Sequence, residues 1–137
     1  MRGLEISLKK KEHDIKSLSS FISDLKTTIQ NLENKKNEYI MTINRLNNEK
    51  SNNLSDIQFK NYYILELLDK IEQIQKEIVR LEKQIDEQKE KLKINLGEKK
   101  AIKKYKEKLE VEKNKKEIQK ETNISNEVYN FKHIYNQ

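Results

Sequence analysis

Apolar side chains recur along this chain at alternating spacings of three and four residues, and this spacing constrains the fold more than any other feature. Between Ile15 and Leu46, nine of the ten a and d positions of one heptad frame are apolar. A second frame is apolar at all seven positions between Ile64 and Ile85. Such sustained spacing with charged flanks is typical of coiled-coil helices, which bury one stripe against another helix. The pattern predicts an all-α protein.

Composition agrees with long helices and argues against most other folds. The 137 residues are 38% charged and 34% hydrophobic, with no Pro and only two Gly. An ordinary globular domain is roughly 45–50% apolar, so this chain has too little apolar surface for a compact core of its length. A β-rich fold needs turn residues, which are scarce here. Disorder also suits low hydrophobicity and high charge, but the heptad periodicity excludes it for most of the chain.

The two heptad frames are separated by a polar segment, NNEKSNNLSDIQ at 47–58. Its Asn and Ser residues favour turns and caps over helix interior. Ser55 or Asp56 is the expected N-cap of the second helix, with Gln58 completing a partial capping box after Ser55. Two long amphipathic helices with a short connection predict an antiparallel hairpin. The alternative is one continuous helix in a parallel dimer.

The predicted architecture is a single coiled-coil domain over 1–137, a long two-helix antiparallel hairpin. Helix one is expected over about 4–50, the loop over about 51–56 and helix two over about 57–120, with a short terminal helix over about 123–135. The terminal helix is placed after a cap at Thr122 or Asn123, because these side chains favour helix starts.

The seam residues also predict a register, because an antiparallel pair places an a residue of one helix against a d residue of the other. The favoured register sets Leu25 opposite Ile85 and Leu8 opposite Ile102. A shift by one heptad would set lysines against apolar seam residues. In the favoured register, helix one has no residues to face those after about Leu109. We therefore expect the second helix to project beyond the first.

The residue inventory offers no catalytic, cofactor-binding or metal-binding constellation. The chain has no Cys, and its two histidines, His13 and His133, are far apart in the favoured register. Gly3 and Gly97 stand alone, so there is no glycine-rich phosphate loop. We therefore expect a non-enzymatic protein with no cofactor, no metal and no small-molecule substrate.

The charge and hydropathy of the chain limit which classes of partner and which cellular locations are expected. The net charge is +6, and only three of the basic residues are arginines. Bidentate recognition of phosphates or guanines depends on arginine, which argues against nucleic acid as the partner. No apolar run reaches the ~18–20 residues of a membrane span. The N-terminus also lacks the apolar region of a signal peptide. The expected location is the cytosol.

The stretch 98–120, here called the Lys-rich segment, carries ten Lys against five Glu. Its functional interpretation is a basic shaft that inserts into an acidic ring or groove. The alternative is a solvated helix in which Glu–Lys pairs contribute only ~0.2–0.5 kcal/mol each.

Two apolar surfaces lie off the predicted seam. The first, the loop-proximal patch, lies at the start of helix two, where a two-helix seam cannot bury every apolar side chain. It is interpreted as a surface for a partner, and the alternative is local packing under the loop. The second, the terminal face, recurs at helical spacing near the end of the chain and has no partner in its own chain. It is expected to dock on a protein rather than a membrane, because basic residues are few there. The loop-proximal patch consists of Tyr62, Leu65 and Leu68, and the terminal face of Ile124, Val128, Phe131 and Tyr135.

Four local motifs follow one another along the chain. They are KKNEYIMTIN at 35–44, NYYILELLDKIEQIQ at 61–75, EKKAIKKYKEKLE at 98–110 and KKEIQKETNISNEVYNF at 115–131. In this order and spacing they resemble the FliJ family of flagellar export proteins and its type III secretion relatives of the YscO kind. The matching family features are an Asn-Glu-Tyr segment, an Asn-Tyr-x-x-aliphatic helix start, a Lys-rich stretch and an Asp-Glu-hydrophobic ending. This chain departs from the pattern at Asn126, in place of the Asp, and at Asp69, near a position often apolar in the family.

The resemblance implies a hairpin similar to the central stalk of rotary ATP synthases. It also implies three partners, namely an export ATPase hexamer, a membrane export gate protein and export chaperones, and a peripheral location at the inner face of the cell membrane. Whether the system is flagellar or an injectisome stays open, and the alternative is a structural spacer or dimeric scaffold without an ATPase partner. The gate-facing residues would be the loop-proximal patch. The ATPase-facing residues would be Lys99, Lys100, Lys103, Lys104, Tyr105, Lys106, Leu109, Lys113 and Lys116.

Overall fold

Two long helices account for nearly all of the described chain. The computed structural model describes residues 2–135, and the side chains of residues 2–132. Helix α1 spans Arg2–Asn48 and helix α2 spans Leu54–Tyr135. They pack against each other in antiparallel order, and no strand occurs in the described residues. The predicted all-α hairpin is confirmed.

Contacts divide the chain into two units, each built from a segment of α1 and a segment of α2. The first unit is Ile15–Ile94 and contains the loop. The second combines the residues before Ile15 with those from Asn95 onward. Each unit is described separately below.

The core lies in the unit Ile15–Ile94 and follows the predicted seam. Leu25 and Ile85, predicted to face each other, belong to one buried cluster, against which Ile29, Leu32 and Leu92 pack. Every buried apolar side chain in the described residues occupies a predicted a or d position, which confirms both heptad frames. These buried residues are Ile22, Leu25, Leu67, Ile78, Leu81 and Ile85.

Polar contacts across the same seam agree with the predicted register. The Lys36 ammonium donates a hydrogen bond to the Gln75 side-chain carbonyl at 2.9 Å. The Lys70 ammonium lies 5.9 Å from the centroid of the Tyr39 ring. Lys36 is the one polar residue of the first frame, and its contact with Gln75 gives the ammonium a partner at the edge of the seam.

The loop differs in detail from the sequence prediction. Helix α2 begins at Leu54, and its N-cap is Asn53 rather than Ser55 or Asp56. The Asn53 side-chain oxygen accepts a hydrogen bond from the backbone N–H of Asp56 at 2.8 Å. Asn is among the best N-caps, contributing about 1 kcal/mol relative to Ala. Asp56 is then placed in the first turn, where a negative charge suits the helix dipole.

The end of α2 also differs. A separate terminal helix over 123–135 was expected, whereas the structure has a single helix that continues to Tyr135. Thr122 and Asn123 favour caps, but a cap acts only where the chain has already left helical conformation. The helix continues because no Gly or Pro follows Gly97 to break it, and the residues before Thr122 are mostly good helix formers.

Candidate protein-binding surfaces

In the second unit, lysines occupy some of the seam positions, which are mostly apolar in the unit Ile15–Ile94. Lys99 and Lys106 of α2 reach carboxylates of α1, with Nζ 3.7 Å from Glu12 Oε1 and 3.9 Å from Glu5 Oε1 respectively. Lys11 of α1 forms an ion pair with Glu98. Its ammonium also donates a hydrogen bond to the Asn95 side-chain oxygen at 3.1 Å. The three lysine side chains are only 25–28% exposed, so their aliphatic stems pack into the seam while the ammonium groups reach its rim.

Burial of the seam stops at Leu109. Ile102, Lys106 and Leu109 are half-buried, as seam residues should be, whereas the next seam positions, Lys113 and Lys116, are exposed. Every described side chain from residue 110 to residue 132 is exposed. The prediction that the second helix continues beyond its intramolecular partner after about Leu109 is therefore confirmed for the described side chains.

The ATPase-facing residues implied by the resemblance do not form one surface. Half-buried members lie on the seam, where two of them are paired with glutamates of α1. The others are exposed. The half-buried members are Lys99, Lys106 and Leu109, and the exposed members are Lys100, Lys103, Lys104, Tyr105, Lys113 and Lys116. Sequence reasoning did not assign the role of Glu5 and Glu12, although their spacing of seven residues matches that of Lys99 and Lys106.

The loop-proximal patch is exposed, as expected. Tyr62, Leu65 and Leu68 are 68%, 64% and 48% exposed. Leu54 and Phe59 extend the apolar surface at the start of α2, with exposures of 69% and 77%. Sequence reasoning missed these two residues, although both lie off the heptad frame. Exposed apolar clusters of this kind often mark surfaces that bind a partner.

The terminal face is exposed as far as it is described. Ile124, Val128 and Phe131 are between about half and two-thirds exposed and recur at spacings of four and three along α2, which places them on one side of the helix. The side chain of Tyr135, the fourth member, lies outside the described residues.

Potential metal ligands and titratable side chains can be located in the described part of the chain. No group of three His, Cys, Asp or Glu residues that could hold a metal ion occurs there. His13 is exposed, and the side chain of His133 lies outside the described residues. A hydrogen bond from Arg80 lowers the pKa of Glu77, and the same contact raises the pKa of Arg80. These two residues lie one turn apart on α2, and Arg80 Nε is 3.0 Å from Glu77 Oε2.

Neither helix, as far as the structure describes it, contains a stretch apolar enough and long enough to cross a membrane.

Comparison with known proteins adds no further constraint. No protein-family model matches this chain, and no curated protein and no solved structure shows significant similarity to it. The function of the three surfaces must therefore be inferred from their own residues and from the motif resemblance.

Proposed function

We propose that this protein is a non-enzymatic coiled-coil component of a flagellar or type III protein export apparatus, acting as a stalk that binds the export ATPase hexamer. The observation that carries the proposal is the Lys-rich segment of α2, whose lysines are exposed off the seam before Leu109 and at every lysine position after it. The seam of α2 packs on α1 along one part of the helix and is exposed along another. The exposed part is suited to insertion into a partner. The order and spacing of the four motifs that resemble the family add support.

The ATPase contact is assigned to the exposed lysines of the Lys-rich segment. Lys100, Lys103 and Lys104 lie on the outer surface of α2 and are available to an acidic ring. Lys99 and Lys106 contribute differently, because each is already engaged with a glutamate of α1. Their role in the proposed stalk is to align the first residues of α1 with α2.

The other two surfaces are assigned to the remaining partners. The loop-proximal patch, extended by Leu54 and Phe59, would contact the membrane export gate protein. The protein would thereby be held at the inner face of the cell membrane without entering the bilayer. The terminal face would provide a docking site within the apparatus. Export chaperones are a further partner implied by the resemblance, and no particular surface is assigned to them.

Stimulation of the export ATPase tests this proposal. Purified export ATPase of the same cell would be incubated with the full chain, with a K100E/K103E/K104E variant, and with a K26E/K35E/K83E control. The control reverses the same number of charges at exposed positions of the unit Ile15–Ile94. We expect the full chain and the control to stimulate ATP hydrolysis and hexamer formation, and the first variant to lose both effects. Binding should also weaken with added salt, because exposed charges are screened.

Two outcomes would contradict the proposal. If the full chain neither binds nor stimulates the ATPase, the protein is better described as a structural spacer or dimeric scaffold. Scattering in solution would then distinguish a monomeric hairpin from a parallel dimer of twice the length. If both variants lose stimulation equally, the contact is not confined to the Lys-rich segment.

A further inference from the structure

Helix α2 carries a lysine at four successive a positions of its heptad frame. These residues, here called the lysine ladder, are Lys99, Lys106, Lys113 and Lys120. Residues seven apart lie on one face of a coiled-coil helix, so the ladder continues the face that packs on α1. Lys99 and Lys106 are half-buried and ion-paired, whereas Lys113 and Lys120 are exposed and form no ion pair with any described residue.

The two ion-paired lysines of the ladder have glutamate partners at equivalent positions of α1. Lys99 pairs with Glu12, which directly follows the seam residue Lys11. Lys106 pairs with Glu5, which directly follows the seam residue Leu4. Helix α1 thus presents one carboxylate per heptad, each immediately after a seam residue. This repeat is what the first half of the ladder recognises.

Glutamates next to the lysine ladder place negative charges beside the positive ones on this face of α2. Glu98 precedes Lys99 and pairs with Lys11 of α1. Glu112 precedes Lys113 in the same way. Together with Glu117, it lines an open groove on α2 that also contains Lys113, Lys116 and Lys120. A uniformly negative polymer such as nucleic acid would meet these carboxylates unfavourably, whereas a helix of mixed charge would match both signs.

We propose that Lys113 and Lys120 bind a helix of a partner protein that runs antiparallel to α2, in line with α1. The partner helix carries carboxylates seven residues apart, each directly after a seam residue, and a lysine for Glu112. It continues the charge pattern that α1 presents to Lys99 and Lys106. The inference rests on the proposed function only in treating the Lys-rich segment as a partner-binding surface, and it names the kind of segment that this surface recognises.

A designed peptide tests the inference. The probe is a fluorescent helical peptide of four heptads with Leu at seam positions, Glu at the stated seven-residue spacing and Lys opposite Glu112. A register control has the same composition with each Glu moved by two positions. Fluorescence anisotropy would measure binding of both peptides to the full chain. We expect the probe to bind about tenfold or more tightly than the register control, because misplaced charges cannot pair.

Matched variants of the protein locate the contact. K113E/K120E reverses the two unfilled positions of the ladder, and K108E/K115E reverses two exposed lysines, also seven residues apart, that lie off the seam. We expect K113E/K120E to weaken probe binding about tenfold or more, since two attractive pairs become repulsive, and K108E/K115E to weaken it by less than about threefold. A reversed probe, with Lys in place of the two Glu, should restore binding to K113E/K120E.

Several results would overturn the inference. Equal weakening by the two variants, or equal binding of the two peptides, would mean that attraction is diffuse. Duplex DNA that binds as strongly as the probe would identify the ladder as a polyanion site, and self-association that competes with the probe would identify a second copy as the occupant. If the chain stimulates the ATPase but does not bind the probe, this inference is wrong and the proposed stalk function stands. If the chain binds the probe but does not stimulate the ATPase, the stalk function is wrong and this inference stands.

Discussion

Lys11 and Lys99 are the residues at which the seam of the second unit departs furthest from an apolar coiled coil. They occupy one layer, and each ammonium is neutralised by a glutamate of the opposite helix, Glu98 or Glu12. Exposed or partly exposed ion pairs of this kind contribute little to stability, ~0.2–1 kcal/mol each. Polar residues at seam positions instead specify register at some cost in stability. The layer is therefore interpreted as a device that aligns the start of α1 with α2.

Replacing both lysines by leucine should stabilise the protein. In K11L/K99L the layer becomes apolar, and we expect the free energy of unfolding to rise by about 1–2 kcal/mol because buried apolar surface outweighs the lost pairs. Urea denaturation followed by circular dichroism would measure the change. K10L/K100L, at neighbouring exposed positions, should stay within about 0.5 kcal/mol of the parent. A clear loss of stability in K11L/K99L would show that the ion pairs hold this segment together.

At the scale of the helix, two neighbouring leucines of α2 lie in opposite environments, one buried in the seam and one exposed. Leu67 is 2% exposed in the seam, and the adjacent Leu68 is 48% exposed in the loop-proximal patch. A rotation of about 100° per residue separates the two side chains. The same helix can therefore stabilise the fold on one face and present a binding surface on another.

Alanine substitutions on the two faces should differ sharply in their effect on stability. Leu81→Ala removes a side chain that is 4% exposed and should cost about 2–4 kcal/mol, because it leaves a cavity in the core cluster. Leu65→Ala, at a position 64% exposed, should cost less than about 0.5 kcal/mol. Thermal denaturation of the two variants would measure this. A large loss in Leu65→Ala would mean that the patch is structural rather than a surface for a partner.

The seam could be predicted from the sequence because burial in a coiled coil depends on spacing alone. Ile22, Leu81 and the polar Lys36 all lie where the heptad frames put them. The N-cap was less predictable, since Asn53, Ser55 and Asp56 are all good capping residues and the choice depends on where the loop closes. Here Lys60 helps to close it by donating a hydrogen bond to the backbone carbonyl of Glu49 at 3.4 Å.

The candidate surfaces were predictable only in part. Exposure of the loop-proximal patch follows from its position off the seam, but the division of the Lys-rich segment into paired and unpaired lysines does not. It depends on the register, and on glutamates nearly ninety residues or more away in sequence, such as Glu12 for Lys99 and Glu5 for Lys106. The identity of a partner leaves no such pattern in one chain, so it stays a proposal.

For the whole molecule, the uneven distribution of buried apolar residues is the main determinant of stability. Among the described side chains, all six buried apolar residues lie in the unit Ile15–Ile94. The described part of the other unit is joined across the helices by half-buried seam residues and ion pairs. Because buried apolar area is the dominant stabilising term, the two units should open with different free energies.

Amide hydrogen exchange should resolve this difference. We expect slow exchange for helical amides near Leu25 and Leu81, and exchange at least about tenfold faster for amides between Val111 and Lys120, where every side chain is exposed. Added salt should accelerate exchange near Leu4 and Leu8 only slightly, since the screened ion pairs contribute ~0.2–1 kcal/mol each, and should leave the amides near Leu25 unchanged. Uniform exchange rates along α2 would contradict the assignment.

The register of the unit Ile15–Ile94 also limits how the length of such a chain can change over evolutionary time. Each layer, such as Leu25 with Ile85, joins residues that are distant in sequence, so a deletion in one helix alone displaces every later layer. Only the removal or insertion of whole heptads at facing places in both helices keeps the stripes aligned. Length variation in this unit should therefore come in matched steps of about seven residues per helix. The part of α2 at 110–120, whose side chains are exposed, is not subject to this matching with α1.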